Sequence, residues 1–406
     1  MCTVSKEECD TIVRNYLGHD DYEIMDYHVK TADASLGLMS VVSSLKVKIL
    51  INNNDIKEVS FFIKFLPQND YHLSIVNKIG CFKKESSFLG TLFKPITSLL
   101  LYHSVPKCYL KDCDKMIVLE DLTTLGYRNC SNPHGFDLQH TYASIKALAD
   151  LHAASLVYEH NIGKPLDQVF TYEILRPWFS AIEDFPGYKD NLAAADIVSR
   201  IIDKYFNENY TENVRKKAKE ILFNFSNYAQ AKSGNYKNVI THQDLWCNNV
   251  MFKYDNETVQ DAVIIDFQMF GYNPPSFDLL TMLYCNTDKE TRNQHFNDMI
   301  EYYYKCLCNN IEHHKLTPED ILSRKEFLAS MEETRPYGLA AAAIFLHTVL
   351  SPDEVMVPII EDIDKFKTYM ETDRSIVLET MEKYEYYRKR VLISVQDLLD
   401  FVNKTC

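Results

Sequence analysis

"THQDLWCNNVMF", residues 241–252, sets His242, Asp244, Asn248 and Asn249 inside one short, otherwise apolar segment, and "VIIDFQ" at 263–268 follows it with a second aspartate, Asp266. An aspartate at the end of a short strand, an asparagine five residues on and a further aspartate ending the next strand can together accept a hydroxyl proton and hold a divalent cation. Hard cations such as magnesium take oxygen ligands, and one Asn carbonyl with one carboxylate supplies two of them without overcharging the site. Taken singly, an Asp or Asn at a strand-to-loop junction is an ordinary turn or cap residue. The spacing of all of them together is what needs an explanation.

The surrounding chain limits the answers. At 406 residues it is too long for one compact core, and a composition of 46% hydrophobic and 25% charged residues is that of an ordinary soluble globular protein. Lys and Arg number 43 against 57 Asp and Glu, a net charge of −14. Such a surface repels nucleic-acid phosphates and anionic lipid, so neither nucleic acid nor membrane is expected as a partner. A small anion can still bind in a local pocket of opposite sign, so the ligand site to look for is a pocket. "MCTVSKEECD" lacks a signal-peptide apolar core, no window approaches a membrane span, and the eleven cysteines show neither a paired C-x-x-C set nor metal spacing. They read as the reduced thiols of a cytoplasmic protein.

Up to about residue 70 the pattern reads as strands: "DYEIMDYHV", "SVVSSLKVKIL", the turn "NNND", then "EVSFFIKFL". From Tyr71 to Phe93 apolar residues recur at helical spacing, and "KMIVLEDL" at 115–122 is a further strand. Helices dominate beyond, at 141–160, 191–231 and most of 289–406, one of them started by "TPED" with Thr317 as cap and Pro318 in the first position. Only 236–268 interrupts them, with short strands "NVI" and "AVIID" around the opening stretch. The expected fold is α+β and bilobal: a small antiparallel β-rich lobe over 1–120, a connector near 120, and a large, mainly helical lobe over 121–406.

Placed in that architecture, the motif reads H-x-D-x-x-x-x-N followed by a strand ending in D-F, the pattern of a kinase catalytic loop. Phosphoryl transfer asks for a positioned nucleophile and neutralised phosphates, which these residue types supply. A kinase-like site also needs a strand lysine paired with a helix glutamate. In "FFIKFLP" strand alternation puts Phe61, Ile63 and Phe65 on one face and Phe62, Lys64 and Leu66 on the other. Lys64 among apolar neighbours must find a counter-charge or reach water, unless it guards a sheet edge. Glu85, on the flank of the apolar helical stripe between Phe82 and Leu89, is the natural partner, whereas Lys83 and Lys84 are expected at the solvated surface.

"ALADLHAASL" (147–156), "HQDLWCNNVMF" (242–252) and "VIIDFQ" (263–268), with "VLEDL" and "FFIKFLP" in order before them, resemble the ecdysteroid kinase-like family of small-molecule kinases, related to choline kinases and aminoglycoside phosphotransferases. The resemblance runs from about residue 25 to about 350. It implies a protein-kinase-like fold with ATP in the cleft between the lobes. It further implies Asp244 as catalytic aspartate, Asn249 and Asp266 as magnesium ligands, Lys64 as the phosphate-contacting lysine and Glu85 as its ion-pair partner. Backbone groups of Glu120, Asp121 and Leu122 match the hinge that holds adenine, His242 a brace of the catalytic loop, and Asp278 a structural aspartate.

Two positions depart from the family pattern: Gln243 stands where relatives often have Gly, and the phosphate-covering turn "TADASLGLMS" (31–40) has one glycine, Gly37, where protein kinases have three. His152 shares a helical face with Ile145, Leu148, Ala149 and Leu156, and reads as a satisfied core residue rather than part of the site. The function implied is transfer of the γ-phosphate of ATP, with magnesium, to a hydroxyl of an ecdysteroid-like steroid or other lipophilic alcohol. A choline or ethanolamine kinase, or an inactive relative that sequesters a small molecule, are the alternatives. "YGLAAAAIFL" (337–346) is an apolar helix that either walls a pocket for such an alcohol or packs as core. The sequence is silent on oligomeric state.

Overall fold

The computed structural model describes residues 3–31, 40–52, 55–112, 114–131, 135–230 and 233–405, so the expected phosphate-covering turn, Gly37 included, lies outside the described residues apart from its two ends. Strands β1 (Tyr22–Thr31), β2 (Val41–Ile51), β3 (Asp55–Phe65), β4 (Cys108–Asp112) and β5 (Met116–Glu120) form an antiparallel sheet in the order β1-β2-β3-β5-β4. Phe61, Ile63 and Phe65 fall on one face, as alternation requires, and pack with Leu45, Val47, Met116 and Val118 against Cys9, Ile12 and Val13. Those last three belong to a helix, α1 (Lys6–Leu17), in a stretch where strands were expected. Its signals are local: the Ser5 side chain accepts from the Glu8 amide while the Glu8 carboxylate accepts from the Ser5 amide, and Gly18 at φ 76° ends it.

Phe62 and Leu66 turn the other way, toward the main core, which also takes Ile117 and Leu119. Here the single helix expected over 71–93 is broken. Gly80, at φ 77°, caps α2 (Asp70–Ile79), and α3 (Cys81–Ser87) starts anew before a π-helical turn over Phe88–Leu92. Glycine reaches the left-handed region without steric cost, so the break falls there. Restarting at Cys81 resets which side chains of α3 face inward, Lys84 and Glu85 among them.

The helical lobe is built on α4 (Leu138–Ile162), α5 (Pro186–Tyr205), α6 (Ser276–Asn286), α7 (Lys289–His313), α8 (Arg324–Val349) and α9 (Glu385–Thr405), with shorter helices between them. "TPED" starts only a single turn, Pro318–Ile321, and the Thr317 side chain makes no capping bond; the long α8 is capped instead by Ser323, which accepts from the Glu326 amide. Within α8 every residue from Tyr337 to His347 is buried. Tyr337 stacks on Phe225 with centroids 4.8 Å apart, and a Cβ on Gly338 would lie 2.5 Å from the Leu280 Cβ of α6. The alanine-rich stretch is core packing. Among the described residues no single helix is long and apolar enough to cross a membrane; one bent pair, α8 with Asp353–Glu361 at 82°, meets the length and composition test.

Between α5 and α6 the chain lays down β7 (Val239–Thr241), β8 (Val250–Asp255), β9 (Thr258–Ile264) and β10 (Gly271–Asn273). β7 pairs with β10, and β8 pairs with β9 and with β6 (Tyr127–Asn129) from the connector. The expected "NVI" and "AVIID" strands are β7 and β9. The opening stretch therefore sits between two small sheets, with its loop held at both ends by ladder hydrogen bonds.

Candidate active site

The loop after β7 is anchored from below by one carboxylate. Asp278, at the start of α6, accepts from the backbone amides of His242 (2.5 Å) and Gln243 (2.9 Å), and from His152 Nε2 of α4 at 3.2 Å. His152 Nδ1 in turn meets the Tyr303 hydroxyl at 2.7 Å, so this histidine is a satisfied core residue, as read from its helical face. His242 closes the top of the loop: Nε2 donates to the Ile265 carbonyl at 2.9 Å and Nδ1 accepts from the Asp244 amide at 3.2 Å. Burial lowers the His242 pKa, which suits a neutral ring donating from one nitrogen and accepting at the other.

That bracing presents Asp244 and Asn249 side by side. Asn249 Nδ2 donates to the Asp244 Oδ2 and to its backbone carbonyl, both at 2.8 Å, which leaves the amide oxygen of Asn249 as its group for a cation. The Asn249 carbonyl accepts from the Ile265 amide at 3.0 Å, so Asn249 lies across from the start of the Asp266 turn. Burial, then the neighbouring charge of Asp266, pushes the Asp244 carboxyl up to about 7. Asp266 itself holds φ 69° and ψ 70°, a left-handed conformation that costs a non-glycine residue on the order of 1 kcal/mol and persists where its surroundings enforce it.

The enforcement comes from the sheet lobe. Lys64 Nζ lies 2.8 Å from Asp266 Oδ1 and 2.9 and 3.0 Å from the two Glu85 oxygens, and Glu85 also accepts from the Phe267 amide at 3.2 Å. Lys64 and Glu85 are both buried. Burial alone would depress the Lys64 pKa, but Asp266 and Glu85 together raise it, so the ammonium stays charged. For Glu85 burial is the larger influence and lifts its carboxyl, with Lys64 opposing. Phe88 packs on the rings of Phe267 and Phe270 at 4.9 and 4.6 Å.

Glu120, Asp121 and Leu122 follow β5 at the junction of the lobes. The Glu120 amide donates to the Lys107 carbonyl at 2.9 Å and its carboxylate meets His103 Nε2 at 2.6 Å. Asp121 accepts from the Ser60 hydroxyl (2.5 Å) and caps the following turn at Thr123, while Leu122 packs with Tyr127, Met251 and Val263. Their charged side chains are thus engaged with protein, and so are the Glu120 amide and the carbonyls of Asp121 and Leu122, which accept from Thr124 and Gly126.

Lys84 is a correction. Expected at the surface, it is 4% exposed and donates to the carbonyls of Arg176 and Phe270, each at 2.6 Å. The signal was the Gly80 break: with α3 restarting at Cys81, positions 81, 84, 85 and 88 share its inward stripe.

Among the described residues no group of three or more His, Cys, Asp and Glu forms a metal cluster. One carboxylate (Asp266) and one amide oxygen (Asn249) are oxygen donors of the kind that could hold a magnesium ion.

The model of the ecdysteroid kinase-like family matches residues 37–316, more than half of the 406. The chain belongs to the ecdysteroid kinase-like family. A search of curated proteins finds no match. Among solved structures, the GDP and kanamycin complex of APH(2")-IIia is 10% identical, covering 93% of this chain and 99% of that one at a TM-score of 0.39. The GDP complex of wild-type aminoglycoside 2'-phosphotransferase-IIIa is also 10% identical, covering 95% and 99% at a TM-score of 0.37. In this ecdysteroid kinase-like chain "HQDLWCNNVMF" carries Asp244 and Asn249, and "VIIDFQ" carries the Asp266 that pairs with Lys64.

Proposed function

We propose that the chain is an ATP- and magnesium-dependent kinase that phosphorylates a hydroxyl of a small organic molecule, with residues 1–120 as the nucleotide lobe and 121–406 as the catalytic and substrate lobe. The observation that carries this reading is a continuous polar line across the lobes: Glu85 to Lys64 to Asp266, with Asp244 close enough for charge repulsion and Asn249 bonded to it. Asp244 orients the acceptor hydroxyl and takes its proton. Asn249 and Asp266 would hold magnesium, which supplies charge neutralisation at the phosphates. Lys64, kept charged, contacts phosphate and is aligned by Glu85. Backbone groups of Glu120, Asp121 and Leu122 hold the adenine.

The favoured acceptor, an ecdysteroid-like steroid or other lipophilic alcohol, is supported by family membership, since the apolar stretch of α8 packs in the core. The reduced thiols suggested by the cysteine pattern favour a cytoplasmic location. Calorimetry with ATP, with and without magnesium, followed by an ATP-consumption screen over steroids, amino alcohols and phenolic glycosides, tests the proposal. Magnesium-enhanced ATP binding and turnover with at least one alcohol are expected. Absence of nucleotide binding would make the chain a sequestering relative, and preference for choline or ethanolamine would make it a kinase of the other class.

A further inference from the structure

We infer that Lys84 is a positioning residue of the phosphate site, which with its neighbour Glu85 grips the turn carrying Asp266 from both ends. What the turn does rests on the kinase reading above; what grips it is geometry. Residues Phe267–Met269 form a single tight turn between Asp266 and Phe270. Glu85 accepts from the amide at its start, Phe267, and Lys84 donates to the carbonyl just after its end, Phe270. Two adjacent residues of α3 thus hold four residues of the other lobe, and Phe88, one helical turn further along, covers the same turn with its ring. Phe270 leads into β10, which pairs with β7 (Gly271 opposite Thr241), and β7 runs straight into His242 and Asp244. The second Lys84 bond, to the Arg176 carbonyl, draws in the segment before α5, whose Arg176 guanidinium reaches back to the Ile79 carbonyl at 3.2 Å.

An ammonium is an expensive way to fill space. Burial pushes Lys84 down to about 7 with no carboxylate among the groups that act on it; its ring contact is Phe270 at 4.9 Å. A Met of similar volume would fill the space without burying a charge, but would take the Lys84 donor away from the buried Phe270 carbonyl and the half-buried Arg176 carbonyl. The left-handed Asp266 gives that arrangement a purpose, since a conformation of this kind is kept only where neighbours over-determine it. Glu85 alone fixes one end of the turn, and Lys84 supplies the other.

The test is Lys84→Met in the full chain. Amide hydrogen exchange in EDTA should rise at Phe267, Gln268, Met269 and Gly271 and stay unchanged in α8. The magnesium concentration for half-maximal nucleotide binding should increase, and kcat should fall roughly ten- to a hundredfold, the scale of an ångström-sized misplacement. Lys84→Arg, which restores the donors, should recover the protection. A Met variant with wild-type exchange in the turn and unaltered magnesium dependence, its lost kcat tracking only a lost folded fraction, overturns the inference. Should the Met variant not fold, Lys84→Gln, which keeps one donor, is read by the same exchange pattern. If the wild type binds no nucleotide, the kinase reading fails and the grip is judged by exchange alone.

Discussion

Replacing Asp244 by Asn should cut turnover by orders of magnitude and stabilise the protein at once. Asn keeps the shape, and its amide oxygen can still accept from Asn249 Nδ2, which lies 2.8 Å from the Asp244 carboxylate. It cannot take a proton from the acceptor hydroxyl, so turnover should drop by roughly a hundred- to ten-thousand-fold, the usual worth of a positioned base. Stability moves the other way. An unfolded Asp titrates near about 4, whereas burial and Asp266 push Asp244 up to about 7 in the fold. A carboxyl with a raised folded pKa holds its proton more tightly when folded, so its contribution is complete below about pH 4 and is lost as pH rises through about 7.

Three pH units at about 1.4 kcal/mol each set a ceiling of about 4 kcal/mol at pH 8. Halving it for solvent screening at a carboxylate that is only half-buried leaves about 2 kcal/mol. Unfolding entropy for a chain of this length is about 0.85 kcal/mol/K, so the Asn variant should melt about 2–3 °C above wild type. The assay is thermal unfolding in EDTA, which keeps divalent cations away from Asp244, across pH 4 to 8.5, beside turnover with ATP and magnesium. The gain should be present above pH 7 and shrink toward pH 4. An Asn variant that is no more stable than wild type at pH 8 would refute the raised Asp244 carboxyl, and near-normal turnover would remove Asp244 from the chemistry.

Asp266→Ala should end turnover and reduce ATP affinity in magnesium to the magnesium-free level, by calorimetry; equal affinity for wild type and variant in magnesium would count against the ligand assignment. Lys64→Ala should cost about 3–5 kcal/mol near neutral pH, because it strands two carboxylates. The burial of Glu85 closes the escape to water that a surface glutamate would have. Since the stranded carboxylates are relieved by protonation, the loss should be smaller at pH 5 than at pH 8, and a pH-independent loss in melting temperature would point to packing instead. By kcat/KM a polyhydroxylated steroid should outperform choline, ethanolamine and an aminoglycoside; the reverse order would move the chain to the runner-up class.

The fold class was legible because its signals are periodic. Alternation in "SFFIKFL" assigned both faces of β3, and the apolar runs assigned β7 and β9. What escaped was set by single residues or by pairing. α1 depends on the Ser5 and Glu8 cap, the α2 to α3 break on Gly80, and β10, three residues long, exists through its ladder with β7. Lys64 and Glu85 were readable as a pair because burying either charge alone is prohibitive. Lys84 was not, since its partners are two backbone carbonyls that no sequence pattern displays.

Gln243 carries the same lesson one step further. Position 243 stands at φ 66°, which glycine adopts freely and a side chain adopts at a cost. This chain offsets that cost with bonds. The Gln243 amide is held by Asp278, and its side-chain nitrogen donates to Asn273, at 2.5 Å, and to the Thr241 hydroxyl at 3.3 Å. The room for that side chain comes from Gly271, where a Cβ would lie 2.3 Å from Gln243 Nε2. The loop that aims Asp244 thus keeps its left-handed bend by hydrogen bonding, with the glycine that makes room for the Gln243 side chain on the strand beside it.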